Sequence, residues 1–154
     1  MYQVVKRYGH EEGWSCTFRQ WRADHSHCKY IHGYPLAVEI TFGCEHLDAR
    51  NWCMDFGGLR PLKTWLQNTF DHKMIVAEDD PEIELFHTLI NNKIADVVFV
   101  RDVGCEKFAE MVYYEAERIL KEIGEWPRVR LLSVKISEHG GNSAVYTGEA
   151  DFLG

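Results

Sequence analysis

The hydrophobic period changes along this chain, and the changes separate sheet-forming from helix-forming stretches. Residues 2–8 alternate loosely and end at Gly9, and Trp14, Cys16 and Phe18 share one face of the stretch 14–21. The polar turn Gly9-His10-Glu11-Glu12-Gly13 therefore joins two short strands. Tyr34, Leu36, Val38, Ile40 and Phe42 alternate against Pro35, Ala37, Glu39 and Thr41 in the cleanest strand pattern of the chain. Pro35 cannot donate to a ladder, which puts it at the strand's beginning or at an edge. A charged connection, 44–50, leads into 51–55, which reads as the return strand of a hairpin. From Gly58 the period becomes helical: Leu59, Leu62, Leu66 and Phe70, with Trp65 beside them, recur at three- and four-residue steps. Pro61 lies in the first turn of this helix, which stops near Asp71-His72. Glu78-Asp79-Asp80 and Pro81 form a solvated cap for a short helix through 85–90, ended by Asn91-Asn92. The apolar, β-branched run 94–101 predicts a strand. Residues 106–123 form the longest helix, with Phe108, Met111, Val112, Ala116, Ile119, Leu120 and Ile123 on one stripe and Gly124 as its stop. Leu132, Val134 and Ile136 alternate in the next strand, Gly140-Gly141-Asn142 turns, and 144–147 returns.

Strands grouped in hairpins, with two main helices on one face, indicate an α+β fold rather than an alternating α/β one. The chain has 154 residues of which 45% are hydrophobic, enough for one core, so a single domain over 1–154 is expected. A net charge of -7 argues against a protein that grips nucleic acid by neutralising phosphates. No run of eighteen apolar residues exists and the N-terminus lacks a signal-peptide core, so a soluble, cytoplasmic chain without a membrane partner is expected. Five cysteines at irregular spacings, with no C-x-x-C pair, fit reduced thiols rather than a disulfide framework. The five tryptophans are expected in the core or in subunit contacts.

Candidate chemistry concentrates in Cys28-Lys29-Tyr30-Ile31-His32-Gly33-Tyr34, with His25 and His27 just ahead of it. A thiol and imidazoles this close serve as a base or nucleophile with its partner, or as zinc ligands. The spacing leaves both readings open, beside a third in which a buried cysteine adjoins solvated histidines.

Several motifs then occur in a telling order: Cys28 to His32-Gly33-Tyr34, Asp55-Phe56, Phe70-Asp71-His72, Val103-Gly104-Cys105-Glu106, and Ser137-Glu138-His139 through Tyr146. Over roughly residues 14 to 147 the sequence resembles the 6-pyruvoyl-tetrahydropterin synthase / 6-carboxytetrahydropterin synthase family. That resemblance implies the tunnelling (T-) fold, an antiparallel sheet with two main helices packed on one face. It also implies a lyase acting on 7,8-dihydroneopterin triphosphate, which eliminates triphosphate and rearranges or cleaves the side chain. The product would be the 6-carboxy compound on the 7-deazaguanine (queuosine) route, the 6-pyruvoyl compound, or the 6-hydroxymethyl compound. By position Cys28 is the base, and Asp71 with His72 is the second acid/base unit, the carboxylate orienting the imidazole. Helix-end capping is the plainer reading of Asp71-His72. Glu138 anchors the pterin's 2-amino-pyrimidinone edge in a bidentate way, and Cys105 and Glu106 lie near the ring, with a thiol where the family has a hydroxyl.

The zinc motif departs from the family. Three histidines hold the metal there, one at the end of the first strand and two in His-Gly-His. Here the first place falls near Thr17 or Phe18, and Tyr34 replaces the last histidine. His32 survives, and His27 is the nearby substitute ligand; a catalytic zinc needs three. The resemblance also implies a homo-trimer or homo-hexamer, because sheet edges left open in one chain pair in a ring, with sites between subunits. Glu138 is then free to serve a pocket whose Cys28 belongs to the neighbouring chain. The alternatives are a non-catalytic pterin- or purine-binding module that has lost zinc, and an interaction protein that uses only the ring.

Overall fold

A computed structural model describes residues 1–149. In chain order its elements are strands β1 (Tyr2–Tyr8), β2 (Ser15–Phe18), β3 (His32–Pro35) and β4 (Ala37–Cys44), helix α1 (Arg60–Phe70), strand β5 (Lys73–Ala77), helix α2 (Ile83–Asn91), strand β6 (Val97–Val100), helix α3 (Cys105–Glu122), and strands β7 (Val129–His139) and β8 (Asn142–Tyr146). The fold is α+β, as expected. It has two four-stranded sheets: β1-β4-β7-β8 is antiparallel throughout, and β3-β2-β5-β6 is mixed, since β5 runs parallel to both β2 and β6.

Alternation explains the larger sheet. Val38, Ile40, Phe42, Val134 and Ile136 point to one side and are fully buried beneath Leu62, Leu66 and Phe70 of α1 and Phe108, Val112, Ala116 and Leu120 of α3. Phe108 ties the layers together, meeting Phe18 edge-on at 5.1 Å and Phe70 at 5.5 Å between ring centres. The register gives the opposite face to Arg7, Glu39, Thr41, Ser133, Lys135 and Val145, with Arg7 bonded to Glu39 at 3.3 Å. The outer sides of the edge strands β1 and β8 have no partner strand within the described chain.

Three expectations change. The stretch 51–55 is a loop: the Asp48 carboxylate accepts the N–H groups of Arg50 (2.8 Å) and Trp52 (3.0 Å), Asn51 has φ 64, and Cys53 and Met54 enter the core without joining a ladder. The alternating run from Tyr34 to Phe42 breaks at Leu36, so β3 pairs with β2 while β4 crosses to the other sheet. Strand β5 adds an element beyond those expected: it follows α1 directly and is a short apolar run with no alternation to mark it. Trp21 lies beyond the end of β2, in a turn. Among the described residues no helix is long and apolar enough to cross a membrane, and all five cysteines are free thiols.

Candidate active site

The β2–β3 pairing sets Phe18 opposite His32 and Cys16 opposite Tyr34. The strands approach so closely at Gly33 that a Cβ there would lie 2.6 Å from the Cys16 carbonyl oxygen. Because side chains alternate, Phe18, His32 and Tyr34 share one face: Phe18 to His32 is 5.1 Å between ring centres, His32 to Tyr34 is 5.5 Å and edge-on, and Phe18 to Tyr34 is 6.4 Å. The positions that the resemblance assigns to three zinc-binding histidines are thus adjacent in space, yet only one carries an imidazole. Phe18 is 1% exposed and packs against Phe108, so that place has been given to the core. The His32 ring nitrogen Nδ1 lies 2.7 Å from the Tyr30 carbonyl oxygen. A carbonyl only accepts, so Nδ1 donates and Nε2 presents the lone pair. The substitute, His27, packs its ring beside Tyr30 at 6.3 Å, in a polar surface pocket with Asp24, His25, Ser26 and Lys29. Among the described residues no three His, Cys, Asp or Glu side chains are placed to hold a metal ion. This donor set does not fit the family's zinc.

Cys28 sits half-buried in a single turn, His27–Lys29. Its N–H donates to Ser26 Oγ at 3.2 Å, and its carbonyl accepts the Gln20 N–H at 2.8 Å. Tyr34 is the half-buried phenol on the face it shares with His32. Burial raises the phenol's pKa, and the negative charges of Glu138 and Cys28 raise it further. The phenol therefore stays protonated and can donate. The His139 ring lies 6.0 Å from that of Tyr34.

A cavity of about 450 Å³ opens at the start of α3 and the β7–β8 turn, lined by Gln20, Cys105, Glu106, Glu138, Gly141, Asn142 and Ser143. The three positions assigned to substrate binding, Glu138, Cys105 and Glu106, are therefore brought together. Cys105 is buried and its thiol donates to the Ile136 carbonyl at 3.1 Å. Burial, reinforced by the charge of Glu138, pushes its pKa to about 11. It is a neutral wall of the cavity with its proton committed.

Asp71 and His72 form their pair: Nδ1 of His72 lies 2.6 Å from Asp71 Oδ1. The imidazole is 85% exposed, on a residue with φ 59 whose N–H donates to the Ser15 carbonyl. That is the far end of β2 from Phe18, three residues or roughly 10 Å away. The structure does not bring this pair to Cys28 of the same chain.

The loop leaving β2 is fixed by two carboxylates. Arg19 donates to both oxygens of Asp80, at 2.8 and 2.5 Å, and Asp80 also accepts the Glu82 N–H at the start of α2. Asp79 accepts from Trp21 Nε1 (3.3 Å) and Arg22 (2.5 Å). The acidic run is not the expected solvated cap: Glu82 takes the N-cap place of α2 with no side-chain capping bond, and Asp80, 3% exposed, holds an ion pair. Sequence reasoning missed Gln20, whose place in the cavity depends on this loop's path. Its signal was faint: a polar residue directly beyond a strand end that carries an arginine.

A family model described as 6-pyruvoyl tetrahydropterin synthase matches residues 9–149. A curated 6-carboxy-5,6,7,8-tetrahydropterin synthase of Rickettsia bellii is 37% identical over 57 residues, 36% of this chain and 41% of that one. One of Aquifex aeolicus is 24% identical over 124 residues, 79% of this chain and 76% of that one. This chain thus matches less than half the length of the Rickettsia relative. Among solved structures, an uncharacterized protein of Wolinella succinogenes has TM-score 0.77 at 21% identity, covering 96% of this chain and 98% of that one. The 6-pyruvoyl tetrahydropterin synthase of Plasmodium falciparum has TM-score 0.65 at 14% identity, covering 94% and 96%. The match over nearly the whole length, together with the shared fold, means that the chain belongs to the 6-pyruvoyl tetrahydropterin synthase family.

Proposed function

We propose that the chain is a pterin-forming lyase acting on 7,8-dihydroneopterin triphosphate, with the 6-carboxy product favoured by the names of its curated relatives. The observation that carries this reading is the cavity in which Glu138, Cys105 and Glu106 converge, joined to Cys28 through Gln20, whose N–H donates to the Cys28 carbonyl. The volume suits a bicyclic ring with a short side chain. Glu138 accepts the two N–H groups of the amino-pyrimidinone edge, a charge-assisted pair. Cys28, once ionised, removes a proton from the side chain. Tyr34 donates a hydrogen bond to the oxygen on which charge develops, and no step passes through a metal.

The exposed Asp71-His72 pair completes this site from a neighbouring copy, in a ring formed when the open edges of β1 and β8 pair. Its aqueous lining is the polar face of the larger sheet. The test is incubation of the purified protein with 7,8-dihydroneopterin triphosphate, with and without added zinc, following triphosphate release and product mass. Turnover without zinc in a protein that carries substoichiometric metal supports the reading. Pterin binding without turnover leaves a binding module, and absence of binding overturns both.

A further inference from the structure

Gln20 connects the two halves of the site. Its neighbours are fastened to the turn before α2, Arg19 by Asp80 and both Trp21 and Arg22 by Asp79. Its own N–H is committed to the Cys28 carbonyl. The backbone at 20 is therefore held on both sides. The side chain projects into the cavity that holds Glu138. Its tip occupies the space above Gly104, where a Cβ would lie 2.6 Å from Gln20 Nε2 and 3.8 Å from a Glu106 oxygen. Gly104 has φ 121, a conformation that side chains avoid, so glycine both permits the turn into α3 and leaves room for the carboxamide.

Besides Asn142, whose Nδ2 is paired with His139 Nε2, and the Ser143 hydroxyl, the cavity wall holds few donors. Glu138 and Glu106 are carboxylates, and the Cys105 thiol is already spent on Ile136. A ring that offers two N–H groups to Glu138 carries, beside them, a carbonyl oxygen that needs a donor. We propose that the Gln20 carboxamide supplies it, making Gln20 a specificity-determining residue that separates an oxo-bearing ring from one with an amino group in that place. The proposal rests on the pterin reading of the cavity. Exchanging the carboxamide for a carboxylate removes both donors, sets a third acid beside Glu106 and Glu138, and suits a ring that donates at that position instead.

The experiment is a fluorescence titration of the assembled protein with 2-amino-4-oxopteridine and with 2,4-diaminopteridine, for wild type, Gln20→Met, Gln20→Glu and Glu138→Gln. Gln20→Met keeps the shape and loses the hydrogen bond, so it weakens the oxo ligand roughly fivefold to tenfold. Gln20→Glu shifts the ratio of the two affinities about tenfold or more toward the diamino ligand, a readout that general damage to the fold does not produce because both ligands are measured on one protein. If wild type binds the oxo ligand and loses it in Glu138→Gln, while both Gln20 variants leave the affinity ratio unchanged, the role of Gln20 is refuted and the pterin reading stands. If wild type binds neither ligand, the pterin reading itself fails and this inference with it.

Discussion

The two ends of β2 are built in opposite ways. At Phe18 the strand runs into packed rings, a half-buried thiol, a cavity and a loop fastened by two ion pairs. At Ser15 its carbonyl accepts the N–H of His72, whose imidazole stands in solvent beside Asp71. A general acid/base pair is of little use so exposed, because water competes for every proton it handles. A half-assembled site with a cavity but no second acid/base unit is equally incomplete. On the proposed function the two ends are complementary halves, which pairing of the sheet edges would join.

The largest effects should come from removing either half's chemistry. Cys28→Ala should lower turnover of 7,8-dihydroneopterin triphosphate by about 10²–10⁴ while pterin affinity stays within a few-fold, and His72→Ala should do the same. Rapid-quench assays beside pterin titrations separate the two quantities. A parallel loss of affinity in Cys28→Ala would mean that the thiol shapes the pocket rather than moves a proton. The relation between the ends is then broken by mixing. Cys28→Ala and His72→Ala chains, each inactive alone, should regain on the order of a tenth of wild-type activity when unfolded and refolded together, because mixed rings contain some sites with both groups intact. No recovery, with mixed oligomers verified by mass, would place both groups in one chain's site.

A smaller effect concerns what holds the Phe18 end together. Burial by itself would raise the carboxyl pKa of Asp80, but the Arg19 guanidinium and the Glu82 N–H outweigh it and hold the group below the ordinary carboxylate range. A depressed pKa means that the stability gained is fully present above the unfolded value, near 4, and is lost as pH falls through the folded value. Asp80→Asn leaves Arg19 without its counter-charge and should cost about 2 kcal/mol near neutrality, discounted from a fully buried pair because Arg19 keeps some water. Denaturant unfolding at pH 7 and at pH 3 checks the sign, since the gap between wild type and variant should narrow at the lower pH.

The parts of this arrangement legible in the sequence are those written in local pattern. The stripes of α1 and α3 and the alternation of β4 and β7 required only neighbours along the chain, and motif order brought out Cys28, Asp71, His72 and Glu138. What stayed hidden depended on which strands meet. Strand β5 has no period of its own, and within 51–55 Cys53 and Met54 are apolar because they fill the core, not because they pair. Phe18 could be placed near the zinc position by counting, but that it had been absorbed into the stacking around Phe108 required the register of β2 against β3. Asp80 looked like any acid of a charged cap until Arg19, 61 residues away in sequence, closed on it.

The smallest effect is expected next door, at Asp79. This carboxylate also has its pKa lowered, first by the hydrogen bond from Arg22 and then by that from Trp21. Its pair is open to water: the Arg22 side chain is 71% exposed and that of Asp79 48%, against 22% and 1% for Arg19 and Asp80. Exposed ion pairs lose most of their value to solvent and to salt, whereas a buried pair is screened far less. Asp79→Asn also keeps an oxygen that can accept from Trp21. Its change in unfolding midpoint should therefore be a minor fraction of that in Asp80→Asn, and should fade between low ionic strength and 0.5 M salt, roughly a Debye length of 4 Å, while the Asp80→Asn change persists. Equal, salt-independent losses in the two variants would show that the loop is held as one unit and that exposure does not rank its two carboxylates.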